Sequence, residues 1–264
     1  MAPPALAAVW FGPPWVALLV LLGAGGMAWE WGRLCSRGKF RTVGWLTLVT
    51  GVSSVLVLFV NVHPATLSVL LAVVGASAVA VAAATTREAE PLWAGLGTLW
   101  LTLGAAGFLW LALGPPGLAQ EQQGRNTALW LLAVVWATDI GAYVVGRALG
   151  GPRLAPRISP HKTWAGLIGG TASAAVAALV VARLLTGTAS GLLIATSVGL
   201  AVVAQLGDLA ESLAKRHFGV KDSSGLIPGH GGLLDRLDGL IAAAMAAAAI
   251  TIVAGEGPLA WGQG

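Results

Sequence analysis

The sequence predicts an all-α, polytopic integral membrane protein, a helical bundle with eight or nine transmembrane helices. Three observations lead there. First, 56% of the 264 residues are hydrophobic and only 10% are charged, whereas a soluble domain carries about 25% charge. Second, mean hydropathy is +0.81, and the apolar residues run in blocks as long as the roughly 20 residues that cross a bilayer. Third, the lysines and arginines fall between these blocks rather than in one solvated patch, which argues for topology signals and against a nucleic-acid partner.

The apolar runs, taken in order between charged or Pro/Gly-rich breaks, predict spans at about 15–29, 43–60, 65–84, 92–113, 127–146, 164–184, 191–213 and 239–255. A ninth segment, Pro3–Phe11, is apolar as well but is cut short by Gly12-Pro13-Pro14, which predicts a short or re-entrant helix. Polar stretches at 147–162 and 214–238 lie between spans. The longer has about 25 residues, too few for a separate soluble domain. The chemistry-bearing residues therefore divide the chain into an N-terminal set of helices, 1–126, and a C-terminal region, 127–264.

Of the 15 lysines and arginines, 13 lie with the loops after odd-numbered spans and only Arg125 and Arg183 lie on the other side. By the positive-inside rule the odd-numbered loops face the cytoplasm. Trp15, Trp29, Trp31, Trp45, Trp93, Trp110, Trp130 and Trp164 stand near predicted span ends, where an interfacial belt places tryptophan. The lone Cys35 excludes an internal disulfide and a cysteine-rich zinc site. Alanine runs such as 242–249 suit close helix packing through small residues.

Acids inside or beside a span are costly and point to a cavity or a partner. Asp208, Glu211, Asp222, Asp235 and Asp238 crowd around the last two spans. Asp208, Glu211, Ser212 and Lys215 follow i, i+3, i+4, i+7, one face of a helix, with Arg216 next. The loop that follows carries Lys221, Asp222, Pro228, His230, Gly231 and Gly232, then Asp235, Arg236 and Asp238 at the start of the last span. Glycines before a helix N-terminus suit an anion, whose charge meets free N–H groups and the helix dipole. With two aspartates, an arginine and Asp208 across the gap, the pattern describes a divalent cation holding a polyphosphate. Two further clusters face the same side. Asp139, Tyr143 and Arg147 lie at i, i+4, i+8, and Arg157, Ser159, Lys162 and Thr163 form a short polar run whose hydroxyls either bind phosphate or cap the next helix.

These residues resemble the CDP-diglyceride synthetase family, the phosphatidate cytidylyltransferases. That family's pattern of Ser-x-x-Lys-Arg, four residues, Lys-Asp, then Pro-x-His-Gly-Gly-x-x-Asp-Arg-x-Asp is matched by Ser212, Lys215, Arg216, Lys221, Asp222, Pro228, His230, Gly231, Gly232, Asp235, Arg236 and Asp238 with every spacing kept. Its Asp-x-Gly-Ala-Tyr and Ser-Pro-x-Lys-Thr-Trp stretches are similar to Asp139–Tyr143 and Ser159–Trp164. Ala214 and Ala165 depart from it, standing where members carry a larger aliphatic residue and an acid. The specific similarity covers about 130–240.

The resemblance implies the transfer of a cytidylyl group from CTP to phosphatidic acid with Mg²⁺, a second, monovalent ion being left open. It implies catalytic roles for Asp208, Lys221, Asp222, His230, Asp235, Arg236 and Asp238, with Asp208, Asp235 and Asp238 as metal ligands. Substrate contacts are expected from Asp139, Tyr143, Arg157, Ser159, Lys162, Thr163, Glu211, Ser212, Lys215, Arg216, Gly231 and Gly232. A homodimer in the inner (plasma) membrane, its site facing the cytoplasm, follows from the same resemblance, with the first four spans holding lipid tails or building the dimer. Competing readings are a relative acting on another lipid phosphate, such as an ether lipid or a polyprenyl phosphate, and a secondary transporter. The latter is disfavoured because its chemistry should recur in two repeats.

Overall fold

The computed structural model describes residues 2–60, 64–114, 121–229 and 231–260. Its helices are α1 (Ala2–Phe11), α2 (Pro13–Cys35), α3 (Thr42–Val60), α4 (Pro64–Thr86), α5 (Pro91–Leu113), α6 (Glu121–Leu149), α7 (Trp164–Thr186), α8 (Gly191–His217) and α9 (Leu234–Ala254). Helices α2 to α9 are each long and apolar enough to cross a membrane, so the chain is a polytopic helical membrane protein. The expected short segment is α1, whose 10 residues reach about 15 Å at 1.5 Å per residue, half a bilayer core. It leans against α2 and α6.

Several helices run past the ends that hydropathy predicts. Hydropathy falls at the first charge, but backbone hydrogen bonding continues through polar interfacial turns. Helix α2 extends to Cys35 and so contains Glu30, α8 extends through Lys215 and Arg216, and α9 begins at Leu234, placing Asp235 and Asp238 in its first turns. The all-α expectation needs one addition. Strands β1 (Arg153–Ala155) and β2 (Ser159–Thr163) form a small antiparallel hairpin between α6 and α7, with Arg153 opposite Thr163 and Ala155 opposite Ser159. Gly150 and Gly151, at φ +62° and +93°, turn the chain out of α6 into it.

Alanines of α9, including Ala243, Ala244 and Ala247, are buried. Small residues let helix backbones approach where lipid supplies no hydrophobic drive. Large apolar residues point outward instead, with Leu22, Val74 and Val253 all exposed. The tryptophan expectation is partly corrected. Trp15, Trp45 and Trp164 are exposed, but Trp31 and Trp130 are core residues. Trp130 is satisfied there because its Nε1 donates to Ser197 Oγ at 3.1 Å. Cys35 is buried.

The basic loops converge on one end of the bundle. Thr42 Oγ1 donates to Glu88 at 3.3 Å, His217 Nε2 lies 2.9 Å from Glu90, and Arg216 Nε donates to the Ile158 carbonyl at 3.4 Å. The loops after the first, third, fifth and seventh spans are thereby tied together, on the shared side that their charges predict.

Candidate active site

Helices α8 and α9 cross closely at Gly207. A Cβ there would sit 2.5 Å from Ala242 Cβ and 2.8 Å from the Asp238 carbonyl, so only hydrogen fits. That crossing sets the next residue, Asp208, beside the first turns of α9. Asp208 Oδ2 pairs with Lys162 Nζ at 2.8 Å, and Ser212 Oγ donates to Oδ1 at 3.4 Å. Lys162 also donates to Gln205 Oε1 at 2.9 Å. The last residues of the hairpin are thus fastened to α8. Asp139 on α6 and Asp238 on α9 line one cavity, and Asp208 adjoins them because Gly207, its neighbour in the chain, packs against the Asp238 carbonyl.

Asp235 belongs to a second network. Its Oδ1 accepts from Lys215 Nζ at 2.6 Å, and its Oδ2 accepts from Gly232 N at 2.7 Å and from Ser223 N and Oγ at 3.1 Å each. Lys215 also pairs with Glu211, which is 1% exposed. Such a buried triad is held by its hydrogen bonds as much as by charge.

The residue that sequence reasoning missed is Glu30. Fully buried in α2, it accepts four hydrogen bonds from the far end of the chain. Oε1 takes Ser224 Oγ at 2.5 Å and Leu233 N at 2.7 Å, while Oε2 takes Ser223 Oγ at 3.2 Å and Leu234 N at 2.6 Å. These N–H groups open α9, so the carboxylate satisfies two helix-terminal donors and faces the positive end of its dipole. A lone acid near the end of the first span was the available signal.

The glycine loop expected to approach a phosphate also holds the protein's own carboxylates. The N–H groups of Leu233 and Leu234 meet Glu30, and that of Gly232 meets Asp235. Gly232 lacks a side chain for the same reason, because a Cβ would stand 1.9 Å from Ser223 Oγ and 2.7 Å from Glu30 Oε1. Gly231, at φ +80°, adopts the left-handed conformation that glycine tolerates; a Cβ there would meet Asp235 Oδ2 at 2.9 Å and Asp222 Oδ1 at 3.7 Å. Both glycines thus lie against the protein's own polar groups. His230 lies outside the described residues.

The remaining predicted residues divide by position. Thr163 caps α7, its Oγ1 accepting from Gly166 N at 3.0 Å, which favours the capping reading. Arg216 is engaged with the Ile158 and Val220 carbonyls. Tyr143 accepts a 2.8 Å hydrogen bond from Arg147 on the same helix face. Arg157, Lys221, Asp222 and Arg236 are exposed around the loops, and Ser159 opens β2 half-buried.

Asp139, Arg236 and Asp238 line a cavity of about 410 Å³ together with Ala2, Leu132 and Leu237. A second, apolar cavity of about 270 Å³ adjoins it between α1, α2, α5 and α9. Ala5, Leu132, Leu237 and Leu240 line both. A chamber that holds two acids and one arginine among apolar residues thus shares a wall with a wholly apolar one.

Comparison with known proteins now bears on this site. Residues 1–253 match the model of the cytidylyltransferase family. The chain belongs to that family. A protein of Pseudomonas aeruginosa named phosphatidate cytidylyltransferase is 37% identical over 249 residues, covering 92% of this chain and 88% of the relative. Proteins of the same name from Brucella suis and Haemophilus influenzae are 56% identical over 124 residues and 49% over 120. In those two matches the chain spans under half of the relative's length, 46% and 42%. In this member of the cytidylyltransferase family the Lys162–Asp208 pair joins the basic hairpin segment to α8.

Proposed function

We propose that the protein is a phosphatidate cytidylyltransferase, joining CTP and phosphatidic acid into CDP-diacylglycerol with release of diphosphate. The observation that carries this reading is the shared wall between the acidic chamber and the apolar one. A lipid phosphate has those two ends, and the relatives named above bear that activity in their names.

A phosphatidate oxygen attacks the α-phosphorus of CTP, the bond from that phosphorus to the β-bridging oxygen breaks, and diphosphate leaves. No strong base is required, because a phosphate monoester, with a second pKa of about 6, is largely ionised at neutral pH. The main obstacle is anion repulsion. Arg236 at the chamber and Lys162 beside Asp208 supply positive charge, and Lys221 and Arg157 at the exposed rim steer the triphosphate.

The donor set suits Mg²⁺, which accepts oxygen ligands, keeps several waters and is commonly held by one or two carboxylates together with substrate phosphates. Asp208 and Asp238, flanked by Asp139, would hold it. Asp235, named with them from the sequence, has both oxygens engaged by Lys215, Ser223 and Gly232, so we assign it to holding the loop. When bound, the ion neutralises and aligns phosphate oxygens.

The basic loops support a site that faces the cytoplasm from the inner membrane. A homodimer rests on family resemblance alone, and mass measurement in detergent tests it. The activity is tested with purified protein, Mg²⁺, radiolabelled CTP and phosphatidate, scored for a lipid-soluble CDP product. ATP and polyprenyl phosphate serve as controls. No product from phosphatidate, or better turnover of polyprenyl phosphate, overturns the assignment.

A further inference from the structure

Glu30 lies outside the C-terminal region that holds the motif residues, yet its carboxylate organises that region's loop. Each oxygen takes one serine hydroxyl and one backbone N–H: Ser224 with Leu233, Ser223 with Leu234. Ser223 also donates to Asp235, which accepts from Lys215, which pairs with Glu211. An unbroken polar chain therefore runs from α2 through the 222–233 loop into α9 and back to α8. Asp238 and Arg236, which line the acidic chamber, sit on α9 within two turns of the atoms that Glu30 grips. The packing leaves Glu30 little slack, since Gly232 would overlap it if it carried a Cβ, and Gly26, one turn earlier on α2, lies where a Cβ would be 2.6 Å from Leu233 Cδ2.

We infer that Glu30 is a positioning residue for cytidylyl transfer: by fixing the first turn of α9 and the two serines, it sets where Arg236 and Asp238 meet the reacting phosphates. This rests on the proposed activity. Glu30 touches no substrate in this scheme, so its effect should fall on turnover rather than on lipid capture.

The distinguishing variant is Glu30→Gln, which keeps shape but replaces one acceptor oxygen by a donor. A serine hydroxyl can rotate to accept from that amide, but a backbone N–H cannot. One of Leu233 N and Leu234 N therefore loses its partner. Two measurements are made on the full-length protein in detergent. In hydrogen exchange, E30Q should raise the rate at the start of α9 at least tenfold, with exchange in α4 unchanged. In the CTP and phosphatidate assay, kcat should fall at least tenfold while KM for phosphatidate stays within twofold. Adding Ser223→Ala to E30Q should cost less than S223A costs alone, because both act through one chain.

If E30Q does not fold, the S223A/S224A pair, which removes both hydroxyls and leaves the backbone contacts, is read by kcat against KM alone, and wild-type kcat in that pair overturns the inference. Wild-type kcat in folded E30Q, or multiplicative losses in the double variant, overturns the inference. The exchange measurement separates the two readings. A wild-type protein that makes no CDP-lipid overturns the activity, whereas unchanged exchange at α9 in E30Q overturns the positioning role whatever the activity.

Discussion

Lys215 Nζ lies 2.6 Å from Asp235 Oδ1 and pairs at the same time with Glu211, one turn earlier on its own helix. One ammonium thus serves two largely buried acids. Lys215→Met strands both, and removing one partner of a buried pair costs about 3–5 kcal/mol. Thermal unfolding in detergent should show this loss. The K215M/E211Q double variant should recover part of it, because one of the two stranded charges is gone; a double variant less stable than K215M would contradict the pairing.

Asp208 and Asp238 are assigned to the reaction rather than to the framework. Asp208→Asn should lower turnover at least a hundredfold with little change in unfolding temperature. Asp238→Asn should do likewise. Near-normal CDP-lipid synthesis by either variant would remove it from the site.

The same two acids are expected to govern the response to metal. Chelation of Mg²⁺ should abolish activity and re-addition should restore it. For any D238N protein that retains measurable turnover, the Mg²⁺ concentration giving half-maximal rate should rise at least tenfold. An unchanged curve would move the ion elsewhere.

Thr163 separates capping from substrate binding. An N-cap threonine replaced by alanine typically loses about 1 kcal/mol, whereas Thr163→Ser keeps the hydroxyl. T163A should therefore lower stability while leaving the KM for CTP unchanged, and T163S should restore stability. A KM change in T163A with no stability loss would give the hydroxyl back to the substrate.

Much of the bundle was legible in the sequence because membrane solvent makes hydropathy explicit. Long blocks gave the spans, and sparse charges gave their common side. The hairpin at 153–163 was not, since its second strand, Ser159–Thr163, is four polar residues and a proline with no apolar alternation. Glu30 was not, because its partners stand 193 residues and more away and no local pattern announces them. The C-terminal motif was visible as a set, yet its internal division was hidden. Spacing placed Asp235 and Asp238 on neighbouring turns, but only the packing at Gly207 and the Ser223 contacts send one towards Lys215 and the other towards Asp139 and Asp208. The glycines showed the converse problem. Their spacing suggested ligand approach, while their environment shows protein carboxylates filling that space.

Synthesis of the chain imposes an order on the Glu30 contacts. Helix α2 enters the membrane while the serines and the α9 amides that receive its acid are still unmade, 193 residues or more behind. During that interval the carboxylate has none of these native donors, and the N-terminal helices hold a buried acid whose partners have yet to arrive. A chain that stops before α9 keeps that deficit permanently, so the arrival of α9 is what lets the buried acid of α2 reach its hydrogen-bonded state.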